Sequence, residues 1–457
     1  MQLVDPGFRP RLMVEEVQAL ELVQRACAAT AAAASTAAGD ETGSVGGAVA
    51  EAGTAAAAVA HDPALARLLE QHSAGDPVVS VQVSHVQRLW AGMGAVLEVQ
   101  AQTAAGVSAA LIVKHVALPQ GELSFSDRRK KLSYECEATF FESMAGDLRS
   151  QAGCSVPAGL LVDRPGGGKI NIVMSNLPFR STISQPNEGS EEEFAGNESE
   201  SDEPDDNNEA GISVAQTTIA VDFLARMHAH TWGAARADGA VARGLQQQGS
   251  HWYLDTRPDQ WAAMPEQGWE GRLRRAAKAI DNRLKDDPHQ CIIHGDPKCD
   301  NMCLDSAAPG GVSMCDFQYC GRGNPMKDIA YLLCCGAHDC DTESSDAHLE
   351  RYHETLCAAL RGADADVEVQ VPTLAALQAA LDLAYADLCR WMSGSTGGYW
   401  GDVQTLQSNA RDVLFRIDSG AEDLGSEAAY EAAVRRAFPS CSPSPDVQAE
   451  KKRPKLK

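Results

Sequence analysis

The sequence predicts an α+β fold, because segments typical of buried strands and of packed helices both occur along the chain. Two short apolar runs, Leu111–Val116 and Ile170–Leu177, have the length and composition of buried strands. Three segments have helical periodicity: Lys131–Glu142, Ile219–Trp232 and Leu381–Trp391. With 457 residues and 44% hydrophobic content, the chain is long enough for two or three domains and can bury a sizeable core.

Residues 1–77 differ in composition from the rest and are predicted to be an Ala-rich extension, partly helical or disordered. Glu15–Ala38 is Ala-rich and helix-prone, and Gly39–Gly53 is punctuated by Gly, Ala and Thr. No basic region leads into a long apolar run, and Asp5 and Glu16 are unlike a transit peptide, so no targeting segment is expected. No apolar run of the sequence is long enough to span a bilayer.

The stretch Cys291–Gly336 carries the strongest chemical signal in the chain. His294-Gly295-Asp296 follows a short apolar run, and Asn301 lies five positions after the aspartate. A second apolar run, Val312–Cys315, leads directly into Asp316-Phe317. This order and spacing are those used for phosphoryl transfer in the protein-kinase-like fold.

Each of these residue types suits one part of phosphoryl transfer. Asp296 would orient the acceptor hydroxyl and take its proton, and Asn301 and Asp316 would be oxygen ligands to Mg²⁺. Lys298 stands where many protein kinases carry a lysine that approaches the transferring phosphate. An aspartate after glycine is by itself most often a turn residue, so the interpretation depends on the whole set with its strand-like flanks.

The motifs H-G-D-x-x-x-x-N, D-F-Q and G-x-x-x-x-D resemble those of the aminoglycoside phosphotransferase and choline-kinase-like superfamily, and most closely its ecdysteroid-kinase-like (CHK kinase-like) group. Gly323 and Asp328 fit the last motif, and the resemblance implies that Asp328, with His294, braces the catalytic loop. The resemblance covers roughly Val78–Phe438. It implies a bilobal protein-kinase-like fold, with a small antiparallel β-sheet N-lobe and hinge at 78–180 and a larger, mainly helical C-lobe at 213–438.

The resemblance also assigns nucleotide-binding roles to the N-lobe. Lys114, on the first strand-like run, would pair with the α- and β-phosphates of ATP, and Glu137 would hold it, with Glu135 as the competing candidate. Two further sets of residues are less specific. Gly92 and Gly94 suggest a hairpin whose backbone N–H groups approach phosphate, although a plain turn fits equally. At the hinge, Met174 and Asn176 would present backbone groups to adenine.

A small molecule is the favoured acceptor, because Asp316 and Asp328 are only twelve positions apart. A protein kinase inserts an activation segment ending in A-P-E at this place, and neither the motif nor the space for it is present. In related folds the acceptor pocket is assembled from C-lobe helices. The candidates for its wall, each with core packing as the alternative, are Asp387, Arg390, Trp391 and Trp400. His228 is expected to pack or hydrogen-bond near the catalytic loop rather than to act in catalysis.

Net charge of −24 argues against a nucleic-acid partner. Much of it lies in a predicted disordered insert, residues 181–212, where Glu188–Glu209 holds eleven acidic residues and no Lys or Arg. Residues 439–457 are expected to be a disordered basic tail, with a nuclear-import signal as the alternative.

Fourteen cysteines without an export signal indicate reduced thiols and a cytoplasmic protein. A zinc site at Cys334, Cys335, His338 and Cys340 is a weaker alternative, because the spacing matches no common ligand pattern.

These observations predict an ATP- and Mg²⁺-dependent kinase that transfers the γ-phosphoryl group to a hydroxyl of a small metabolite or xenobiotic. No membrane partner is expected, and the sequence does not identify the acceptor. Two alternatives remain open: a non-catalytic nucleotide-binding scaffold and an atypical protein kinase. The joint presence of Lys114, Asp296, Asn301 and Asp316 argues against the scaffold.

Overall fold

The computed structural model of the protein describes residues 78–89, 92–103, 108–118, 121–175, 211–304, 308–337, 342–362, 371–395 and 397–439. The predicted N-terminal extension, the acidic insert up to residue 210 and the basic tail from residue 440 lie outside these ranges. The chain divides into two compact units, formed by the described parts of Met1–Gly146 with Pro157–Pro178 and of Asp147–Val156 with Phe179–Lys457.

The first unit is an antiparallel sheet of five strands with one long helix. The strands are β1 (Val78–Arg88), β2 (Gly94–Thr103), β3 (Ser108–Ala117), β4 (Gly159–Gly166) and β5 (Lys169–Ser175), in the spatial order β1-β2-β3-β5-β4. Helix α1 (Phe125–Ser143) contacts β4 and β5. It begins at a capping box, because the Ser124 hydroxyl accepts the N–H of Asp127, and the Asp127 carboxylate accepts the N–H of Ser124.

The central strands of this sheet are buried on both faces. Val116 of β3 and Ile172 of β5 share the face that carries Lys114, whereas Val113 and Val173 lie on the opposite face, and all four side chains are fully buried. From the helix, the buried residues are Ser133, Tyr134, Cys136, Glu137, Ala138, Phe140 and Phe141.

The second unit is mainly helical. After α2 (Ala145–Ser150), its helices are α3 (Val214–His230), α4 (Ala234–Ala242), α5 (Pro258–Ala263), α6 (Gly268–Lys285), α7 (Met326–Cys335), α8 (Thr342–Gly362), α9 (Leu374–Ser393), α10 (Val403–Asp418) and α11 (Glu427–Ala437). Helix α9 is the centre of this packing, since it contacts α6, α7 and α10 and is buried along most of its length. Its composition explains this, because apolar residues occur all around it.

Four short strands interrupt the helices and position the loops between them. They are β6 (Cys291–Ile293), β7 (Met302–Leu304), β8 (Val312–Met314) and β9 (Gly321–Gly323). β6 pairs with β9, and β7 pairs with β8, both in antiparallel ribbons. The small antiparallel sheet and the mostly helical remainder confirm the predicted α+β fold class.

The segment Asp147–Val156 groups with the helical unit, whereas the sequence predicted it within the first lobe. The reason is a backbone connection to β8. Ser155 accepts the N–H of Met314 at 3.1 Å, and its hydroxyl lies 2.6 Å from that of Ser313. The thiol of Cys154 also lies 3.8 Å from the carbonyl oxygen of Phe223 in α3.

Candidate active site

The two short ribbons of the helical unit carry the residues of the predicted catalytic motif. Asp296 follows β6, Asn301 ends a 3-10 turn that leads into β7, and Asp316 follows β8. Because β7 and β8 are paired, the loops at their ends are held together: the N–H of Cys315 donates to the carbonyl oxygen of Asn301 at 3.0 Å. The fold therefore brings together three residues that the sequence predicted as one set.

Asp296 is buried, with 6% of its surface exposed. Its Oδ2 accepts a hydrogen bond of 3.1 Å from the side-chain amide of Asn301, whereas its Oδ1 is buried and accepts none within the described structure. Burial, and then the negative charge of Asp316, raise the pKa of Asp296 to about 6, against the opposing effects of Lys298 and His294. A carboxylate with a pKa near neutrality and one oxygen that accepts no hydrogen bond suits a general base.

Asn301 and Asp316 have the chemistry of ligands for a hard cation. The amide nitrogen of Asn301 donates to the backbone oxygen of Asp296 at 2.8 Å and to its Oδ2 at 3.1 Å, which leaves the amide oxygen as the remaining ligand atom. Asp316 has φ of +62°, an uncommon conformation for a non-glycine residue. Amide and carboxylate oxygens are the ligands that Mg²⁺ takes in nucleotide sites, so these residues fit the predicted metal.

Lys298 lies beside the same carboxylates. Burial acts to lower the pKa of its ammonium group, but Asp296, Asp300 and Asp316 outweigh that effect and raise it. Its Nζ is 3.6 Å from Oδ2 of Asp300, and the Lys298 side chain is half-buried whereas that of Asp300 is exposed. The lysine is therefore charged and reaches solvent at the edge of the motif.

Asp328 holds the backbone of the catalytic loop. Its two carboxylate oxygens accept the N–H groups of His294 at 2.7 Å and of Gly295 at 2.9 Å. His228 approaches the same carboxylate from α3, with its Nε2 at 3.1 Å from Oδ2 and its Nδ1 2.9 Å from the Tyr352 hydroxyl. Asp328 and His228 are both buried, as expected for groups that act on the loop rather than on a substrate.

The ring of His294 ties this loop to the segment before Asp316. Its Nδ1 accepts the N–H of Asp296 at 3.3 Å, so the proton is on Nε2, which donates to the carbonyl oxygen of Cys315 at 3.1 Å. The ring also packs on Phe317, with centroids 4.6 Å apart. His294 thus links the two motif loops.

Gly295 is required by its conformation and by its surroundings. Its φ is +87°, and a Cβ there would lie 2.3 Å from the carbonyl oxygen of Tyr319 and 2.7 Å from the nitrogen of Ser250. Any side chain would therefore push the catalytic loop away from two neighbouring segments.

In the first unit, Lys114 and Glu137 form a buried ion pair. Nζ of Lys114, on β3, lies 2.6 Å from Oε2 of Glu137, on α1, and both side chains are almost fully buried. Glu135, the competing candidate, instead pairs with Arg164 at 2.8 Å on the surface. The structure therefore distinguishes the two glutamates.

The glycines before this pair form a hairpin between β1 and β2. The N–H of Gly92 donates to the carbonyl oxygen of Leu89 at 3.1 Å, so it is committed to the turn. Gly94 is needed because a Cβ would lie 1.9 Å from the carbonyl oxygen of His115. These features are those of an ordinary connection between two strands, so they fit the plain turn that was the alternative to a phosphate-binding hairpin. Met174 is buried at the end of β5, and Asn176 lies outside the described residues.

Two of the four predicted wall residues of an acceptor pocket lie in the core instead. Asp387 and Arg390 are 1% exposed and pair at 2.7 Å, and Oδ2 of Asp387 also binds Nζ of Lys327 at 2.8 Å. Burial acts to raise the pKa of Asp387, but Arg390 and Lys327 outweigh it and lower the pKa. The carboxylate of Asp387 is shared by two buried cations, so the core-packing alternative describes Asp387 and Arg390.

The other two wall candidates, Trp391 and Trp400, are in edge-to-face contact with centroids 4.9 Å apart. Trp391 also contacts His251, which the sequence interpretation missed. Nδ1 of His251 lies 3.7 Å from Oδ1 of Asp296. The available signal was weak, because a Gly-Ser-His-Trp sequence between helices resembles an ordinary loop.

Among the described residues, no group of three or more His, Cys, Asp or Glu side chains is arranged to hold a metal ion. His338 and Cys340, part of the zinc alternative, lie outside those residues. Every cysteine that the structure describes has a free thiol. In the described part of the chain, no helix has the length and apolar character needed to cross a membrane.

Comparison with known proteins gives a family match that spans the catalytic motif. Residues 194–365 match the sequence model of the APH phosphotransferase enzyme family. Among curated proteins, none matches the chain. A macrolide 2′-phosphotransferase from Brachybacterium faecium is similar at 16% identity over 83% of this chain and 98% of its own, with a TM-score of 0.36. A putative fructosamine-3-kinase from Thermobifida fusca is similar at 15% identity over 79% of this chain and 95% of its own, with a TM-score of 0.36. The family match confirms the resemblance of this chain to the aminoglycoside phosphotransferase and choline-kinase-like superfamily.

Proposed function

We propose that the protein is an ATP-dependent small-molecule kinase that transfers the γ-phosphoryl group to a hydroxyl of a metabolite or xenobiotic. The observation that carries this proposal is the convergence of Asp296, Asn301 and Asp316, in which one oxygen of a buried carboxylate is bound by an amide and the other accepts no hydrogen bond. The match of residues 194–365 to phosphotransferase enzymes supports the same reaction class. The closer resemblance to the ecdysteroid-kinase-like group rests on the motifs alone.

In this reaction Asp296 orients the acceptor and removes its proton. The acceptor O–H donates to Oδ1, the open oxygen, while the hydrogen bond from Asn301 fixes the carboxylate through Oδ2. A pKa of about 6 leaves the group mostly ionised at neutral pH and still basic enough to accept a proton as the new O–P bond forms.

The amide oxygen of Asn301 and the carboxylate of Asp316 would hold Mg²⁺. When bound, the ion neutralises charge on the phosphate oxygens of the nucleotide. The presence of only two protein ligands suits Mg²⁺, which commonly keeps several waters and substrate phosphate oxygens in its coordination shell.

Lys114 would bind the α- and β-phosphates. Its buried pairing with Glu137 fixes the amino group in position, as a phosphate-binding lysine requires. Lys298, whose pKa is raised by three neighbouring carboxylates, would add positive charge near the transferring phosphate.

The short length of the segment between Asp316 and Asp328 supports a small-molecule acceptor rather than a protein. β9 and the first turn of α7 occupy this interval, so these residues form no activation segment like that of a protein kinase.

Incubation of the protein with ATP, Mg²⁺ and pooled hydroxyl-containing metabolites and antibiotics tests the proposal. Mass spectrometry should find one compound with an added mass of about 80 Da, one phosphoryl group. Nucleotide binding with no product from any pool would favour the scaffold alternative. Phosphorylation of a peptide pool in preference to small molecules would favour the protein-kinase alternative.

A further inference from the structure

His251 lies directly beside the open oxygen of the candidate base. Its Nδ1 is 3.7 Å from Oδ1 of Asp296, which is buried and accepts no hydrogen bond in the described structure. This separation is too long for a direct hydrogen bond. A separation of 3.7 Å allows one oxygen atom to lie about 2.8 Å from each of them, the ordinary length of such a bond.

The backbone that presents His251 is held in an unusual conformation. Ser250 has φ of +85° and is one of three non-glycine residues with positive φ in the described ranges; Asp316 is another. The N–H of Ser250 donates to the carbonyl oxygen of Tyr319 at 3.0 Å, and its hydroxyl accepts the N–H of Trp252 at 3.2 Å. Non-glycine residues in such conformations cluster at functional sites, where the surrounding structure maintains them.

Buried charges hold the next residue, Trp252, from the opposite side. Nη2 of Arg390 donates to its carbonyl oxygen at 2.8 Å, and Nζ of Lys327 lies 4.0 Å from the centre of its indole ring. Asp387 joins both cations. The core cluster therefore fixes the segment from which the His251 ring extends.

Aromatic rings surround His251 on three sides. Ring centroids of Tyr319, Tyr331 and Trp391 lie 5.1, 5.4 and 5.0 Å from its own. Burial, and then the charge of Asp296, raise the pKa of Tyr331 well above its usual value, so this phenol stays neutral. The ring of His251 is thus confined beside Asp296 by packing.

We propose that His251 binds the acceptor, by donating its Nδ1–H to the hydroxyl oxygen that is phosphorylated. This inference rests on the proposed function. The acceptor O–H donates to Oδ1 of Asp296 while its oxygen accepts from His251, which aims a lone pair of that oxygen at the γ-phosphorus. As the new O–P bond forms, the bond from the γ-phosphorus to the bridging oxygen of ATP breaks, and the acceptor proton passes to Asp296. His251 keeps its own proton throughout and determines which alcohols fit.

Three variants test this role: His251→Ala, His251→Asn and, as the matched control, His353→Ala. The asparagine amide retains an N–H donor near the position of Nδ1, so it separates hydrogen bonding from simple filling of space. His353 lies on α8, where its Nε2 is 3.0 Å from the carbonyl oxygen of Pro372, and it has no part in the site. The probe is the pooled alcohol that the wild type phosphorylates fastest, with water as a second acceptor in ATP hydrolysis.

His251→Ala should lower kcat/KM for the alcohol about 10- to 100-fold, with the affinity for MgATP unchanged. His251→Asn should recover at least about fivefold of that loss, and His353→Ala should behave as the wild type. The inference is overturned if His251→Ala keeps the acceptor kcat/KM within about twofold, or if asparagine restores nothing. Equal losses of MgATP affinity and acceptor kcat/KM would also overturn it, since they indicate general damage to the site. A wild type that transfers phosphoryl to neither probe contradicts the proposed function itself, and the inference with it.

Discussion

The side-chain amide of Asn301 donates to both the backbone oxygen and the Oδ2 of Asp296, at 2.8 and 3.1 Å. One side chain therefore fixes the carboxylate of the proposed base and leaves its own amide oxygen for the proposed metal. The 3-10 turn Cys299–Asn301 produces this contact, because it folds the chain back within five residues. Base and metal ligand are consequently positioned by the same hydrogen bonds.

Asp316→Asn should weaken nucleotide binding only when Mg²⁺ is present. The change removes the carboxylate charge but keeps the size of the side chain, and asparagine tolerates the φ of +62° at this position. Calorimetry should show MgATP affinity reduced by at least about tenfold, with the affinity for metal-free ATP unchanged. Equal losses in the two titrations would contradict the assignment of Asp316 as a metal ligand.

Glu137→Leu should destabilise the first unit, because Lys114 would lose the carboxylate 2.6 Å from its buried ammonium. Removal of one partner of a buried pair costs about 3–5 kcal/mol, which denaturant unfolding would detect. The double variant Lys114→Met/Glu137→Leu should recover most of that stability without recovering MgATP affinity. If the double variant binds MgATP as tightly as the wild type, Lys114 is not a phosphate ligand.

Gly295→Ala and Gly420→Ala form a matched pair. Both glycines have φ near +86° (+87° and +85°), but a Cβ at Gly420 meets no atom within 4 Å, whereas at Gly295 it overlaps the backbone of Tyr319. Gly420→Ala should cost about 1 kcal/mol and leave turnover intact. Gly295→Ala should lower turnover about 100-fold, because displacement of the catalytic loop misaligns the reacting groups. Equal turnover in the two variants would show that the close approach at Gly295 is unimportant.

The catalytic motif was predictable because its residues are close together in the sequence and follow recognisable apolar runs. Asp296 and Asn301 are separated by five positions, and the strands before Asp296 and Asp316 appear in the structure as β6 and β8. The Lys114–Glu137 pair was predicted from the family resemblance, with Lys114 on a strand-like run and Glu137 on the helix-like segment that follows. The choice between Glu137 and Glu135 depends on which face of α1 is buried, and the structure provides that directly.

The other parts of the site depend on contacts between distant segments. Asp387 resembled a pocket residue, and its partner Lys327 lies sixty residues earlier in the chain. Gly94 resembled a phosphate-loop glycine, yet its small size is needed where β2 approaches the carbonyl oxygen of His115. His251 reaches Asp296 only through the packing of an irregular segment. Contacts between residues so far apart in the chain cannot be predicted from the spacing of residues in the sequence.

Asp387→Asn should reduce stability rather than acceptor recognition. It would leave Lys327 and Arg390 in the core without their shared carboxylate, at a cost of about 3–5 kcal/mol in the free energy of unfolding. Denaturant unfolding measures this, and the variant Lys327→Met/Asp387→Leu/Arg390→Met is the control that removes all three charges. If the Asp387→Asn protein is as stable as the wild type and only its KM for the acceptor rises, Asp387 contacts the acceptor and the core assignment is wrong.

The kcat of Asp296→Asn, measured with MgATP and the fastest acceptor of the wild type, tests the central claim most directly. Asparagine keeps the size of the side chain and removes the anionic proton acceptor, so kcat should fall by about 10²- to 10⁴-fold while MgATP affinity survives. Retained affinity is expected because Asp296 binds the acceptor and the proposed nucleotide ligands are other residues. A kcat near that of the wild type would contradict the account, because Asp296 would then not be the base.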